Sequence, residues 1–354
     1  MNILKPFKII FVLGNVLFLF RNISFVGTRT RVIMILCILA EIFLSIYNCF
    51  IIGYYNLFIH LSDCINVYMV FGNSIILIIL SCYNSSSFNR LLMSFNMNSS
   101  LFAKDNSYLK KMEKRNPLII FVLILFVVAK IVFIVLSQTY NPLLKLEFSF
   151  FVSICLQMNA ILCDVRYFYE YLLLYTLLGL ICDQLDCIIR SIEKEMNDVT
   201  SNLNTIEMNV PFSVIKMESY EKNIEQWSRA YSSIANATDI FNDIFGGVYD
   251  TIALIMYGQN IVIMHLQIIV LSYTAQQIHN KVETVRRRLG KLLLDSVNNY
   301  NRRRATKDLL RFISRRRLRI QAFGSIPVDM SLPPSCVMLF TSYTVIALQF
   351  NNVL

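Results

Sequence analysis

The chain has 354 residues and a formal net charge of +10, is 56% hydrophobic and only 16% charged, and has a mean hydropathy of +0.54. That balance excludes an ordinary soluble domain and points to a polytopic membrane protein. The basic residues follow membrane sidedness, so the positive charge does not call for a nucleic-acid partner.

The first 31 residues carry Lys5 and Lys8, an apolar run over 9–20, and then Arg21, Arg29 and Arg31. No small-residue cleavage pattern follows the run, so residues 1–31 read as a retained cytoplasmic or interfacial segment. Spans are expected at 32–55 and 64–83, joined by a loop without Lys or Arg, then at 117–136 and from about 147 to 181. The loop before the third span holds Arg90, Lys104, Lys110, Lys111, Lys114 and Arg115, which marks it as cytoplasmic and places the N-terminus on the same side.

The fourth apolar stretch is roughly 35 residues, or ~52 Å of helix, well beyond a hydrocarbon core of ~30 Å. It is expected to project into the cytosol, continuing as an amphipathic helix over 182–196 and breaking in the Asn-, Ser- and Thr-rich stretch 197–211. A second amphipathic stretch, 217–244, leads to Gly246 and Gly247, so 182–244 reads as cytoplasmic helices.

Residues 248–273 are long enough for one crossing, yet a dense run of Lys and Arg from Lys281 to Arg319 follows. One crossing would put that run outside, and two would need about 40 residues. Either the segment re-enters without crossing or a span is missing. Within the basic region 274–326, Val285, Leu289, Leu292 and Leu293 form a helical stripe, and the Arg clusters suit anionic lipid headgroups. Pro327, Pro333 and Pro334 interrupt any helix before the last one, which fits a last segment in two parts within 327–354.

The apolar run 336–350 gives roughly 22 Å of helix. Ser335, Ser342 and Gln349 are seven apart and share one face, with Asn352 near the same line. An amide such as Gln349 is costly in hydrocarbon unless it meets another helix or water. Spacing leaves both readings open.

Ionisable residues inside the expected spans are Glu41, Lys130, Asp164, Arg166, Glu170 and Asp250. Arg166 and Glu170, four apart on one helix, are expected to neutralise each other, and Lys130 to snorkel toward the interface. Glu41 and Asp250 have no local partner. The nine Cys show no paired motif, although Cys49 and Cys64 flank an external loop and leave one disulfide open. The three His are isolated, so no metal or other cofactor is expected, and no phosphate loop or nucleophile elbow supports an enzyme.

The final helix resembles the signature of insect gustatory receptors: Tyr343, Gln349 and Phe350 match, with Ser342 standing where the family usually has Thr. The segment from Ile326 to Pro333 is similar to the one entering that helix in a lepidopteran group assigned to bitter taste. The resemblance implies an all-α polytopic membrane protein, a seven-helix bundle with a cytoplasmic N-terminus and intracellular anchor helices, here one span short. It implies a tastant-gated cation channel in the plasma membrane of a gustatory neuron, a homo- or hetero-tetramer with other gustatory receptors. Ser342, Tyr343, Gln349 and Phe350 would line or gate the pore. A tastant pocket is expected in the outer half of the bundle, where Asn66, Tyr68, Phe71, Phe151, Ser153 and Gln157 lie. The rivals are a non-conducting or truncated subunit of the same family, a G-protein-coupled receptor and a transporter.

Overall fold

A computed structural model describes residues 8–17, 19, 21, 27–54, 61–96, 117–132, 150–203, 212–255, 261–295, 300–322 and 325–350. Among them the architecture is all-α apart from one two-stranded hairpin. The helices are α1 (Lys8–Val16), α2 (Thr28–Tyr54), α3 (Leu61–Tyr83), α4 (Ser85–Asn96), α5 (Pro117–Val132), α6 (Phe150–Leu203), α7 (Phe212–Ile255), α8 (Ile261–Asp295), α9 (Tyr300–Arg315) and α10 (Leu332–Phe350). Strands β1 (Gln321–Ala322) and β2 (Ile326–Pro327) pair antiparallel just before α10.

The core is built from heptad-spaced seams. One buried seam runs along α6 through Leu174, Leu178, Ile181, Leu185, Ile188 and Ile192, one along α7 through Tyr220, Ile224, Trp227, Tyr231, Ile234, Thr238, Phe241 and Phe245, and one along α8 through Ile278, Val282, Val285, Leu289 and Leu292. Alternating steps of four and three keep each seam on one face, the pattern of helices packed side by side at a shallow angle, and on α6 further buried residues such as Leu173, Leu177 and Leu180 widen the covered surface to most of the helix. Thr238 and Thr306, the hydroxyls in these seams, donate to carbonyls four residues back on their own helices, so burying them leaves nothing unsatisfied.

Side-chain pairs set the direction of each helix. Lys281 reaches Asp186 at 2.6 Å and Arg288 reaches Glu193 at 2.8 Å, so α8 runs parallel to α6. Trp227 Nε1 donates to Ser191 Oγ at 2.9 Å and Asn223 Nδ2 to Glu195 Oε2 at 2.9 Å, so α7 runs back along α6. Helix α9 follows α7, with the Tyr220 and Thr306 hydroxyls 2.7 Å apart and Tyr231 donating to the carbonyl of Arg316 at 2.9 Å. The chain therefore descends along α6, returns on α7, descends again on α8 and rises on α9.

Two stretches are long and apolar enough to cross a membrane, Thr28–Tyr47 within α2 and Ile161–Asp198 within α6. A third is added if α3 and α4, which meet at 60° around Asn84, are counted as one broken span. The two differ in environment: 17% of the best window on α2 is buried inside the protein against 78% on α6. Val32, Ile33, Leu36, Leu39, Phe43, Ile46 and Phe50 all leave α2 uncovered, as lipid-facing side chains do. This all-α architecture is consistent with a membrane protein.

Several expectations change. For residues 248–273, where the sequence leaves re-entry and a missing span both open, α7 ends at Ile255 and the antiparallel α8 begins at Ile261. Beyond Phe245 the first arm is ten residues, about 15 Å, half of a hydrocarbon core. The amphipathic continuation of α6 persists to Leu203, past the expected break at 197. The last segment is a single helix of 19 residues, about 28 Å, and is not divided within itself. Pro333 and Pro334 fall in its first turn, where the missing N–H groups have no intrahelical acceptor anyway. The N-terminal segment is not merely interfacial, because Leu19 and Arg21 are buried in the bundle and Arg166 Nε donates to the carbonyl of Leu17. Gly14 permits that approach, since a Cβ there would sit 2.6 Å from the Tyr169 hydroxyl. The side chains of Cys49, Cys64 and Asp250 lie outside the described residues.

Candidate functional site

About two turns of α6 hold three charged side chains that pair across the bundle. Asp164, Arg166 and Glu170 each take a partner from a different segment. Arg166 is fully buried and uses all three guanidinium nitrogens: Nη2 donates to Glu41 of α2 at 2.6 Å, Nη1 to Ser74 Oγ of α3 at 2.7 Å, and Nε to the carbonyl of Leu17 at 2.9 Å. Asp164 pairs with Lys130 of α5 at 2.6 Å. Glu170 pairs with Arg21 of the N-terminal segment.

The expected Arg166–Glu170 pair is therefore absent, and Glu41 is not partnerless. Both side chains point out of α6 into interfaces where an opposite charge from another segment is already buried, so pairing along the helix would strand two other ions. Lys130 does not simply snorkel; it sits 2.6 Å from a carboxylate and 5.7 Å from the Phe126 ring centroid.

Arg21 was not singled out in the sequence beyond its sidedness. Its guanidinium lies over the rings of Phe88 at 5.0 Å and Phe245 at 5.1 Å, and its carbonyl accepts from Ser85 Oγ at 2.7 Å. The available signal was an arginine ending an apolar run, a residue that needs a partner if the run is buried. Glu170 Oε1 and Arg21 Nε remain without a hydrogen bond among the described residues. The cluster thus ties the N-terminal segment, α2, α3 and α5 to one level of α6.

The last helix is arranged differently. Ser335 and Ser342 donate to the carbonyls of Ser331 at 2.8 Å and Met338 at 2.9 Å, so both hydroxyls are satisfied by their own helix. Gln349 is exposed and meets no partner among the described residues. Tyr343 is 64% exposed, and Val337, Met338, Leu339, Val345 and Ile346 are uncovered as well. Phe350 ends the helix, and its side chain lies outside the described residues. The helix packs against α8, and its described side chains from Val337 onward are exposed.

Of the residues named for a ligand pocket, Phe71 is buried at 2% exposure on α3. Asn66 and Tyr68 lie on α3, and Phe151, Ser153 and Gln157 on α6; their side chains are outside the described residues. The Ser74–Arg166 bond sets the register of the two parallel helices. Counting back from that bond puts 66–71 about one to two turns along α3 and 151–157 about two and a half to four turns along α6, so the two groups do not share one level.

Among the described residues no three His, Cys, Asp or Glu side chains gather as metal ligands. The chain matches no protein-family model and no curated protein.

Proposed function

We propose that this chain is a multi-pass receptor of the insect gustatory type, with its N-terminus in the cytosol of a taste neuron. In this reading four copies, alike or mixed with related subunits, form a tastant-gated, non-selective cation channel. The last helix of each lines the central pore. Ligands are small tastants, bitter or other plant compounds, held between α3 and α6 on the far side of the charge cluster.

The observation that carries this reading is the state of Gln349. The hydroxyls on its face are satisfied within the helix, whereas its amide is exposed and alone. Leaving such an amide in hydrocarbon costs about 2–7 kcal/mol, so that face needs water or a second copy. A ring of four copies around a water-filled axis supplies both. The antiparallel course of α7 and α8 supports the sidedness, because the chain returns before the basic run and keeps 281–319 on the side of the basic N-terminus. A G-protein-coupled receptor would have the opposite orientation.

A tastant opens such a channel only by binding the open form more tightly than the closed one. Apolar residues near Phe350 would oppose ion entry by dewetting until the helices part. Current recorded from cells expressing the chain, during a compound screen and alongside Gln349→Ala, tests the proposal. The expected result is ligand-evoked current with altered conductance or ion selectivity in the variant. Unchanged conductance and selectivity would remove the last helix from the pore.

The short arm of α7 favours a second reading within the same family, a subunit that assembles but does not conduct by itself. That reading expects no current from the chain alone and current when a related subunit is co-expressed.

A further inference from the structure

Where α8 meets the chain leading into α10 there is a cavity of about 210 Å³ lined by His279, Glu283, Arg286, Arg317, Leu318 and Arg319. We propose that it binds a phosphate-bearing lipid headgroup of the inner leaflet, one that projects past the phosphate plane as phosphorylated inositols do.

Charge is the first argument. Three arginines face one carboxylate, and that carboxylate, Glu283, is already taken by Arg286. Arg317 and Arg319 make no ion pair among the described residues, while neighbouring Arg302, Arg311 and Arg316 do. Arg286 donates to Glu283 and, at 3.3 Å, to the carbonyl of Ile313, but its Nε is buried with no acceptor. An anion with several oxygens would satisfy that donor and the two free guanidinium forks together.

Depth is the second. The uncovered face of α8 is apolar through Leu266, Ile269, Val270 and Tyr273, and one turn later it becomes Gln276 and Asn280. The hydrocarbon boundary thus falls just after Tyr273. His279 is six residues farther, about 9 Å, and Arg286 thirteen, about 20 Å. The headgroup layer is about 5–8 Å thick on each side. His279 therefore lies just past the headgroup layer and Arg286 well beyond it, a depth that a headgroup with distal phosphates approaches better than a simple phosphodiester.

Position gives the site a consequence. Arg317–Arg319 lead into the hairpin through the Val328 N to Ile320 O bond at 3.0 Å. Beyond it Asp329 turns the chain into α10 by accepting from the backbone and hydroxyl of Ser331. These bonds, and the nearby His279, hold its carboxyl below the ordinary aspartate range. An anion in the cavity ties α8 to the segment that carries the last helix.

The inference rests on the chain being a membrane protein and not on its conducting ions, so its test reads binding. The full chain in detergent micelles is titrated with a short-chain phosphatidylinositol bisphosphate, with inositol trisphosphate and with inorganic phosphate. R317Q, R319Q and the double variant R317Q/R319Q are compared with R303Q/K307Q, which removes equally exposed charge from α9 outside the cavity. A loss of tenfold or more for the lipid in R317Q/R319Q, a smaller loss in each single variant and little change in R303Q/K307Q would support the site. Equal affinity for inositol trisphosphate and the lipid would assign the site to a soluble phosphate and overturn the lipid source. Equal losses in both double variants, or none in the cavity variants, would overturn the site itself. Both arginines are exposed and unpaired, so the single variants are expected to fold even if the double variant does not.

Discussion

The inner bundle of α6–α9 and the outer helices α2 and α10 are held by different forces. In the inner bundle every helix offers a heptad stripe, and Leu178, Ile181, Leu185, Ile234, Val285 and Leu289 have no accessible surface to speak of. Burial of apolar area stabilises this part directly. Among the described residues α2 touches the rest through Met34, Ile38, Glu41 and Ser45 and leaves Val32, Leu36, Leu39 and Phe43 uncovered, and the described side chains of α10 from Val337 to Ile346 are exposed. Inside a bilayer, lipid is as apolar as leucine, so covering those faces gains little. Position there must come largely from polar contacts, and the Glu41–Arg166 pair is one that α2 makes.

The largest effect that tests this contrast is Trp227→Ala in the inner bundle. It empties a large buried site and frees Ser191 Oγ, with an expected loss of about 3–5 kcal/mol in the unfolding free energy of the purified chain. A loss under about 1 kcal/mol would show that the seam is not what holds the bundle. Arg166→Met comes next, because it strands Glu41 in an apolar site at a cost of about 3–5 kcal/mol. Adding Glu41→Leu should restore most of the stability in a double-mutant cycle. If both variants are equally destabilised, α2 is not held through this pair.

Lys130→Ala breaks a pair whose side chains remain 21% and 26% exposed, so the expected change is about 1 kcal/mol or less. A larger change would place Asp164 in drier surroundings than its exposure indicates. Leu36→Ala on the open face of α2 is expected to shift stability by no more than about 0.5 kcal/mol in detergent. A clear destabilisation there would mean that α2 is covered by a second copy. Gln349→Ala belongs at the same low end for stability, so its effect on conduction reports the pore and not the fold.

Local signals carried much of this architecture. The 54-residue α6 follows from an apolar run too long for a bilayer joined to an amphipathic one. The stripe at Val285, Leu289 and Leu292 was visible on α8, and the same four-and-three spacing in α7 was available from Tyr220 to Phe245. The seven-residue line of Ser335, Ser342 and Gln349 is likewise a property of the chain alone. The partners of Arg166 were not legible, because an ion can pair four residues along its helix or across an interface, and sequence distance does not say which charge is already buried nearby. Glu41 is 125 residues away.

Composition and periodicity by themselves determined that the chain is helical, which stretches are apolar enough to be consistent with a membrane protein, and where the stripe on α8 lies, since these depend on neighbours within a few turns. Only the tertiary structure decided that residues 248–273 divide between two antiparallel helices, that Arg21 ends up between two aromatic rings, and that three arginines line one cavity where α8 meets the chain leading into α10. Each of those depends on where distant segments meet, and the free energy of a buried charge or an open donor is set by what it meets.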